Sequence, residues 1–365
     1  MTSSFTPQIP DCLPRKKILF CYVEFHHYRV PIWQELSKVY DVTVLHASTP
    51  QTDGTAGFCE ISIPPRKIWR FWYQSGLVSE VRTGGYDAVI FLFDVAWISS
   101  ILGFLLCPTR RITWGFWTTK SKLANQLRIW LAKRADGNTF YATQAARDFM
   151  RGGVPKNKIW IARNSVHVDP AERTITPRRD TFLFLGSFNA RKGNDITIAA
   201  FDAACAKIPQ HIRLVLVGDG PAKAAAQAQA AALPNGHRID FHLGTINPLE
   251  IRAYYARALC SVSYGQAGLS VLQSFGHGVP FITSKGAISG GEIENIIPDQ
   301  TGFLCDLSQE SLADTFVAVC NDPARTEQLG HDALHYYQTY SSASMMAAGF
   351  SEAIENTHSL TEQIL

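Results

Sequence analysis

No CxxC pair occurs among the eight cysteines (Cys12, Cys21, Cys59, Cys107, Cys205, Cys260, Cys305, Cys320), which lie singly in apolar stretches. That scatter argues against a metal site or a disulfide framework and points to a reducing compartment, the cytoplasm. The first residues show no basic start followed by an apolar core and a small-residue cleavage site, so no secretory leader is expected. The most apolar run, 89–107, is broken by Asp94 and Ser99-Ser100. Because about 20 consecutive apolar residues are needed to cross a bilayer, this run predicts a strand and a buried helix. The basic residues follow no helix-turn-helix, zinc-finger or RNP pattern, so nucleic acid is not an expected partner. With 18% charged and 46% hydrophobic residues the chain reads as globular, and 365 residues suit two domains better than one core.

The small net charge of +3 conceals an asymmetry. Residues 1–169 hold 21 Lys+Arg against 12 Asp+Glu, and residues 170–365 hold 13 against 19. In the basic half, positive and aromatic residues interleave from Arg66 to Tyr73 and again from Lys120 to Arg134. Two readings fit that interleaving: a surface meeting anionic lipid headgroups at the inner face of a membrane, or a solvated face with its aromatics packed inward.

A βα rhythm runs through the chain. After a lead (1–16) expected to be disordered, Lys17 to Val23 reads as a buried parallel strand and Pro31 to Val39 as a helix. Between them lie Glu24, His27 and Arg29, in the kind of loop that binds ligands in parallel sheets; for a histidine there, an ordinary surface or core imidazole is the other reading. Strands are predicted at Asp41 to His46, Tyr86 to Phe91 and Arg111 to Trp114, the last running into Gly115 and Phe116, with a helix from about Ser121 to Arg134. Farther on, Thr181 to Gly186 is a strand, Ser187 to Gly193 a basic loop and Asn194 to Lys207 a helix. Arg213 to Val217 leads into Gly218-Asp219-Gly220-Pro221, a turn with Pro entering a helix.

Everything else is arranged around the stretch from Tyr264 to Glu294. An apolar strand (Leu259 to Ser263) enters a glycine-bearing loop, and a helix starts near Gly268, with Leu269, Leu272 and Phe275 at helical spacing. The exposed N–H groups of such a helix start, at Gly268, Leu269 and Ser270, can cradle a phosphate, although any βαβ unit also needs a turn there.

This stretch resembles the donor-binding segment of GT-B glycosyltransferases of the retaining family four (glycosyl transferases group 1). In that family a Glu-x7-Glu pair occupies the segment; here the two places are held by Gly265 and Gln273, while Gly268-Leu269 and Gly278-Val279-Pro280 keep the frame. Gly186, Ser187, Arg191 and Lys192 resemble the family's GR-x4-KG signature, with Ser187 at the Arg place and Arg191 beside Lys192 as the substitute cation. Gly218 begins the VGDGP motif, and Arg163-Asn164-Ser165 resembles the junction between domains. The place near the reacting sugar where a His often stands is taken by Phe116.

The resemblance is strong over 180–310 and diffuse before 150. It implies two doubly wound α/β domains facing a cleft: 17–169 for the acceptor, with Glu24, His27, Arg29 and Phe116 on that side, and 170–340 for a nucleoside-diphosphate sugar, with 341–365 as a helix crossing back. The implied reaction moves a hexose-type sugar to a lipid-linked or polysaccharide acceptor with retention, needing neither metal nor cofactor. Lys192, Arg191 and the helix start at Gly268-Leu269-Ser270 would neutralise the leaving diphosphate, and Gln273 would bond hydroxyls of the nucleotide. The acid absent from position 265 has a candidate replacement in Glu292, which follows Gly290-Gly291 past the strand Phe281 to Ser284; an acid merely complementing a helix dipole is the other reading. Two other functions share the architecture, a sugar-nucleotide epimerase and a non-catalytic nucleotide-sugar-binding partner of another transferase.

Overall fold

The computed structural model describes residues 14–115, 117–119, 121–168 and 179–357. The lead up to residue 13, Phe116, Lys120 and the expected boundary near 170 therefore lie outside the described residues. The chain divides into two compact units, 1–138 and 139–365.

The first half supplies β1 (Lys17–Cys21), α1 (Val30–Ser37), β2 (Asp41–His46), β3 (Cys59–Ser62), β4 (Arg66–Ile68), β5 (Phe71–Tyr73), α2 (Leu77–Thr83) and β6 (Ala88–Leu92). It continues with α3 (Ile98–Leu106), β7 (Arg110–Trp114), α4 (Lys122–Arg134), β8 (Gly137–Phe140), α5 (Thr143–Arg151) and β9 (Ile159–Ile161). Seven of these strands form one sheet in the order β3-β2-β1-β6-β7-β8-β9. The run 89–107 resolves into β6 and α3, and no helix among the described residues is long and apolar enough to cross a membrane. The basic aromatic segment 66–73 is the antiparallel hairpin β4–β5, in which Lys67 opposes Trp72. Neither β3 nor this hairpin is evident in the sequence: unlike the equally short strand Phe281–Ser284, these segments are too broken up by Glu60, Ser62, Arg66 and Lys67 to give an apolar run, and too short to show a period.

The second half contains β10 (Thr181–Leu185), α6 (Asn194–Ala204), β11 (Arg213–Val217), α7 (Lys223–Ala232), β12 (Ile239–His242), α8 (Pro248–Arg257), β13 (Ala258–Val262) and β14 (Gln266–Ala267). It ends with α9 (Leu269–Gly276), β15 (Phe281–Ser284), β16 (Ile288–Ser289), β17 (Gly302–Cys305), α10 (Gln309–Asn321), α11 (Pro323–Tyr336) and α12 (Ala343–Glu355). Its sheet has the order β12-β11-β10-β13-β15-β17, with every pairing parallel. Strand alternation splits its core between the two faces. Phe182, Phe184, Leu214 and Leu216 pack with Phe201 of α6 and Phe316 of α10, whereas Leu183, Val215 and Val217 pack with Ile251 and Tyr255 of α8. Late in the chain, α12 lies on β9 closely enough that a Cβ on Gly349 would press on the backbone of Ile161.

In both sheets the strand order reverses beside the first strand of its half, β1 next to β6 and β10 next to β13. Crossovers leave such a point in opposite directions and open a crevice at the carboxyl ends of the two strands. In the second sheet the crevice is lined by the loop after β10 (186–193) and the loop after β13 (263–268).

The β10 loop is held down by the next one. Gly186 N donates to Val217 O at 3.0 Å and Phe188 N to Asp219 O at 2.8 Å. The backbones approach so closely that a Cβ at Gly218 (φ 153°) would overlap the carbonyl oxygen of Gly186, whereas one at Gly268 meets nothing within 4 Å. Gly218→Ala should therefore destabilise the protein by about 2–4 kcal/mol through overlap and strain. Gly268→Ala should cost only about 0.5 kcal/mol. Urea denaturation of both variants checks the contrast, and equal midpoints would refute it.

Candidate active site

Lys192 closes a short 3-10 turn, Ala190–Lys192, whose start is capped by the Asn189 side chain accepting from Arg191 N at 3.1 Å. Gly193 leaves the turn in the left-handed conformation (φ 67°), and α6 begins at the next residue. The lysine stem passes Gly186, and burial holds the ammonium below its ordinary pKa of 10.5; the neighbouring Arg191 lowers it further, and Glu292 opposes both. Arg191 and Ser187 are exposed.

The loop after β13 lies directly against this turn. Gly265 N donates to Lys192 O at 2.9 Å, and a Cβ at Gly265 would overlap the carbonyl oxygen of Arg191. No side chain of any kind fits at 265 while that bond exists. Beyond it, α9 starts at Gly268 with no side-chain cap, so its first N–H groups remain available. The Ser270 hydroxyl is buried without a hydrogen-bond partner, and Gln273, one turn further along, is half-buried.

A two-stranded parallel ladder, β14 with β16, ties this loop to the segment bearing Glu292, and Ile288 N donates to Gly265 O at 2.9 Å. Glu292 begins a 3-10 turn (Glu292–Asn295) and is 5% exposed. One carboxylate oxygen accepts from Asn164 Nδ2 at 2.6 Å; the other accepts from Gly290 N at 3.0 Å and from the Ser289 hydroxyl at 3.2 Å. The same hydroxyl accepts from Gly291 N and Ile293 N, which fixes the turn. Glu294 faces elsewhere: its carboxylate accepts from Thr143 N, Thr143 Oγ1 and Gln144 N and so caps α5.

The structure thus assembles Gly186, Lys192, Gly265, Gly268, Leu269, Ser270 and Glu292 around one sheet switch point, with Gly218 beneath them as packing. Asn164 and Ser289 belong to the arrangement as the partners of Glu292. Asn164 had a sequence signal in its motif, but its function as a carboxylate partner had none; Ser289 had neither.

Residues 168–335 match the family model described as glycosyl transferases group 1. This part of the chain is a group 1 glycosyltransferase domain. No curated protein matches the chain. Among solved structures it is similar to HepE of Anabaena in complex with UDP and glucose (TM-score 0.72, 14% identity, 93% of this chain and 99% of that one). It is also similar to a glycosyltransferase from Rickettsia africae (TM-score 0.75, 12% identity, 93% and 98%) and to WaaG, a glycosyltransferase involved in lipopolysaccharide biosynthesis (TM-score 0.64, 16% identity, 92% and 99%). These likenesses establish the GT-B fold. In the group 1 domain Gly265 and Gln273 stand where the family motif has its two acids.

In the first unit, Glu24 and His27 are exposed in the loop after β1. Arg29 is 4% exposed, its guanidinium 5.0 Å from the Tyr28 ring and 5.3 Å from the Trp114 ring, so it holds an aromatic cluster together and faces no solvent. Phe116 is outside the described residues. His26, between Glu24 and His27, is the histidine whose pKa is lowered, chiefly by burial. On hairpin β4–β5, Trp72 stacks on Trp97, whereas Trp69 is 76% exposed with Arg70 over its ring. Further apolar groups reach solvent from α3 (Leu102, Leu105, Leu106) and α4 (Leu123, Leu127, Trp130).

Lys192 provides a test that needs no substrate. Its folded pKa is below the unfolded value, so the unfolded chain holds the proton more tightly. The charged form therefore opposes folding at neutral pH, and this cost is released as pH rises through the folded pKa toward 10.5. Lys192→Met should accordingly be at least as stable as the wild type at pH 7, and any advantage should shrink toward pH 10. Melting temperatures at the two pH values decide, and a variant less stable at pH 7 would contradict the burial argument.

Proposed function

We propose that the chain transfers a hexose-type sugar from a nucleoside-diphosphate sugar to a lipid-linked or polysaccharide acceptor at a membrane surface, with retention and without a metal. The observation carrying this reading is the half-buried Lys192, which has no salt bridge among the described residues and stands at a switch point beside an uncapped helix start. A lysine placed there gains a counter-charge when a diphosphate arrives. The ammonium and the N–H groups at Leu269 and Ser270 stabilise the negative charge that grows on the leaving diphosphate, and partial burial strengthens both effects. Arg191, exposed beside it, adds a guanidinium for the phosphate oxygens, and Gln273 bonds nucleotide hydroxyls through its amide. Glu292 is the carboxylate for the sugar. Its partners Asn164, Ser289 and the Gly290 amide are neutral, so its charge remains to act on positive charge developing at the anomeric carbon. Retention is the chemistry of the family the domain belongs to.

Purified protein incubated with UDP-, GDP- and dTDP-sugars tests the reading. Transfer or slow donor hydrolysis supports it; an isomerised donor would make the protein an epimerase. Tight nucleotide-sugar binding without turnover would make it a non-catalytic partner, the reading that the side-chain-free position 265 favours. Given turnover, Lys192→Ala should lower kcat/KM by at least tenfold, each tenfold step being about 1.4 kcal/mol. Glu292→Gln should cut transfer at least as far while leaving affinity for the bare nucleoside diphosphate nearly unchanged. Wild-type transfer by the Gln variant would remove Glu292 from the chemistry.

The membrane-facing part of the reading is supported by the exposed apolar groups of β4–β5, α3 and α4 and by the excess of basic residues in the first half. Apolar side chains enter the headgroup region while neighbouring Lys and Arg meet anionic lipid, at about 1 kcal/mol per basic residue. Binding to anionic liposomes should weaken with salt and with the triple change Arg66→Glu, Lys67→Glu, Arg70→Glu. Equal binding to neutral and anionic vesicles would dismiss membrane docking and leave the transferase reading intact.

A further inference from the structure

A second cavity, of about 550 Å³, lies in the second unit behind α9, whose Phe275 packs on its wall residue Tyr336; it is lined by none of the residues gathered around Lys192 and falls within the range of about 300–1,000 Å³ usual for small-ligand sites. Its walls carry Arg163, Gln300, Asp332, His335, Tyr336 and Tyr340. We propose that this cavity binds a saccharide, at a site separate from that of the nucleotide sugar.

The chemistry of the wall selects the ligand. Tyr336 and Tyr340 stand 5.1 Å apart, centroid to centroid, where α11 runs on into a π-helical turn (Tyr337–Ser341). Wide turns of this kind are rare and often occur at functional sites. The Tyr340 ring is 40% exposed and offers an apolar face to the C–H side of a pyranose. Around the two rings are groups that donate, accept or do both: the Gln300 amide, the Asp332 carboxylate, the His335 imidazole and the Arg163 guanidinium. A ring of hydroxyls, each both donor and acceptor, matches such a mixture. A nucleotide or polyphosphate does not, because Asp332 and Glu294 line the same cavity and outnumber its one guanidinium. A metal ion is also a poor match, since no His/Cys/Asp/Glu cluster able to hold one occurs among the described residues.

Two observations indicate spare bonding capacity here. Arg163 has no salt bridge among the described residues, and its buried Nε lacks a hydrogen-bond partner. Its Nη1 donates to Tyr336 Oη at 2.7 Å and to Asn295 Oδ1 at 3.3 Å. Asn295 in turn donates to the carbonyl of Glu292 at 2.9 Å, so the cavity wall and the Glu292 turn share a side chain. A saccharide bonded to Arg163 therefore sits two side chains from the turn that presents the carboxylate, a position suited to sensing a sugar chain near the reaction.

Saturation-transfer NMR on the full chain tests the proposal, with UDP in excess and glucose, galactose, N-acetylglucosamine and maltotetraose as probes. At least one probe should receive saturation at its ring protons. Tyr340→Ala and Gln300→Ala should weaken that probe tenfold or more, with far-UV circular dichroism unchanged, whereas Lys192→Ala should not alter it. Preference for maltotetraose would identify a glycan chain as the source, and preference for a monosaccharide a free sugar. Failure of all four probes, binding unaffected by Tyr340→Ala, or binding abolished by Lys192→Ala would overturn the proposal.

Discussion

The hydrogen bond from Gly265 N to Lys192 O sets the spacing on which the rest of the site depends. It draws the loop after β13 against the turn after β10 so tightly that position 265 has no room for a Cβ. The family's first acid is thus not simply missing from this chain. Its place has been taken by backbone, and a carboxylate can reach the site only from another segment. The β14–β16 ladder binds the same loop to the segment that carries Glu292.

The charges follow from this packing. A lysine with its stem against Gly186 and its carbonyl tied to the next loop loses part of its hydration, and burial lowers its pKa accordingly. Glu292 offsets some of that cost from a distance and is itself held by neutral donors, Asn164, Ser289 and the Gly290 amide. Neither group is cancelled by a close opposite charge. For Lys192 the partial burial of an unpaired charge opposes folding at neutral pH.

The first unit follows a different economy. Its polar loop after β1 leaves Glu24 and His27 in solvent but folds Arg29 under Tyr28 and Trp114. The interleaved basic and aromatic segment splits in a similar way. Trp72 turns inward onto Trp97, while Trp69 lies outside with Arg70 over its ring. One aromatic of the segment thus packs inward and another stays in solvent, and only the hairpin decides which goes where.

The fold class and the positions of the glycine turns were legible in the sequence by itself. Buried parallel strands such as β11 are apolar along their buried length, here 214–217, and a turn between backbones that nearly touch, as at Gly218, accepts only glycine; both leave local marks. Lys192 was legible because its spacing from Gly186 and Gly193 belongs to one loop. Asn164 and Ser289 as partners of Glu292, the exclusion of any side chain at 265 and the burial of Arg29 were decided only by tertiary structure. Each arises where segments distant in sequence meet: Asn164 reaches across 128 residues to Glu292, and Gly265 across more than seventy to Lys192. Periodicity and spacing describe how a chain folds on itself locally, whereas the register between loops from different strands is set by sheet order, which no local pattern encodes.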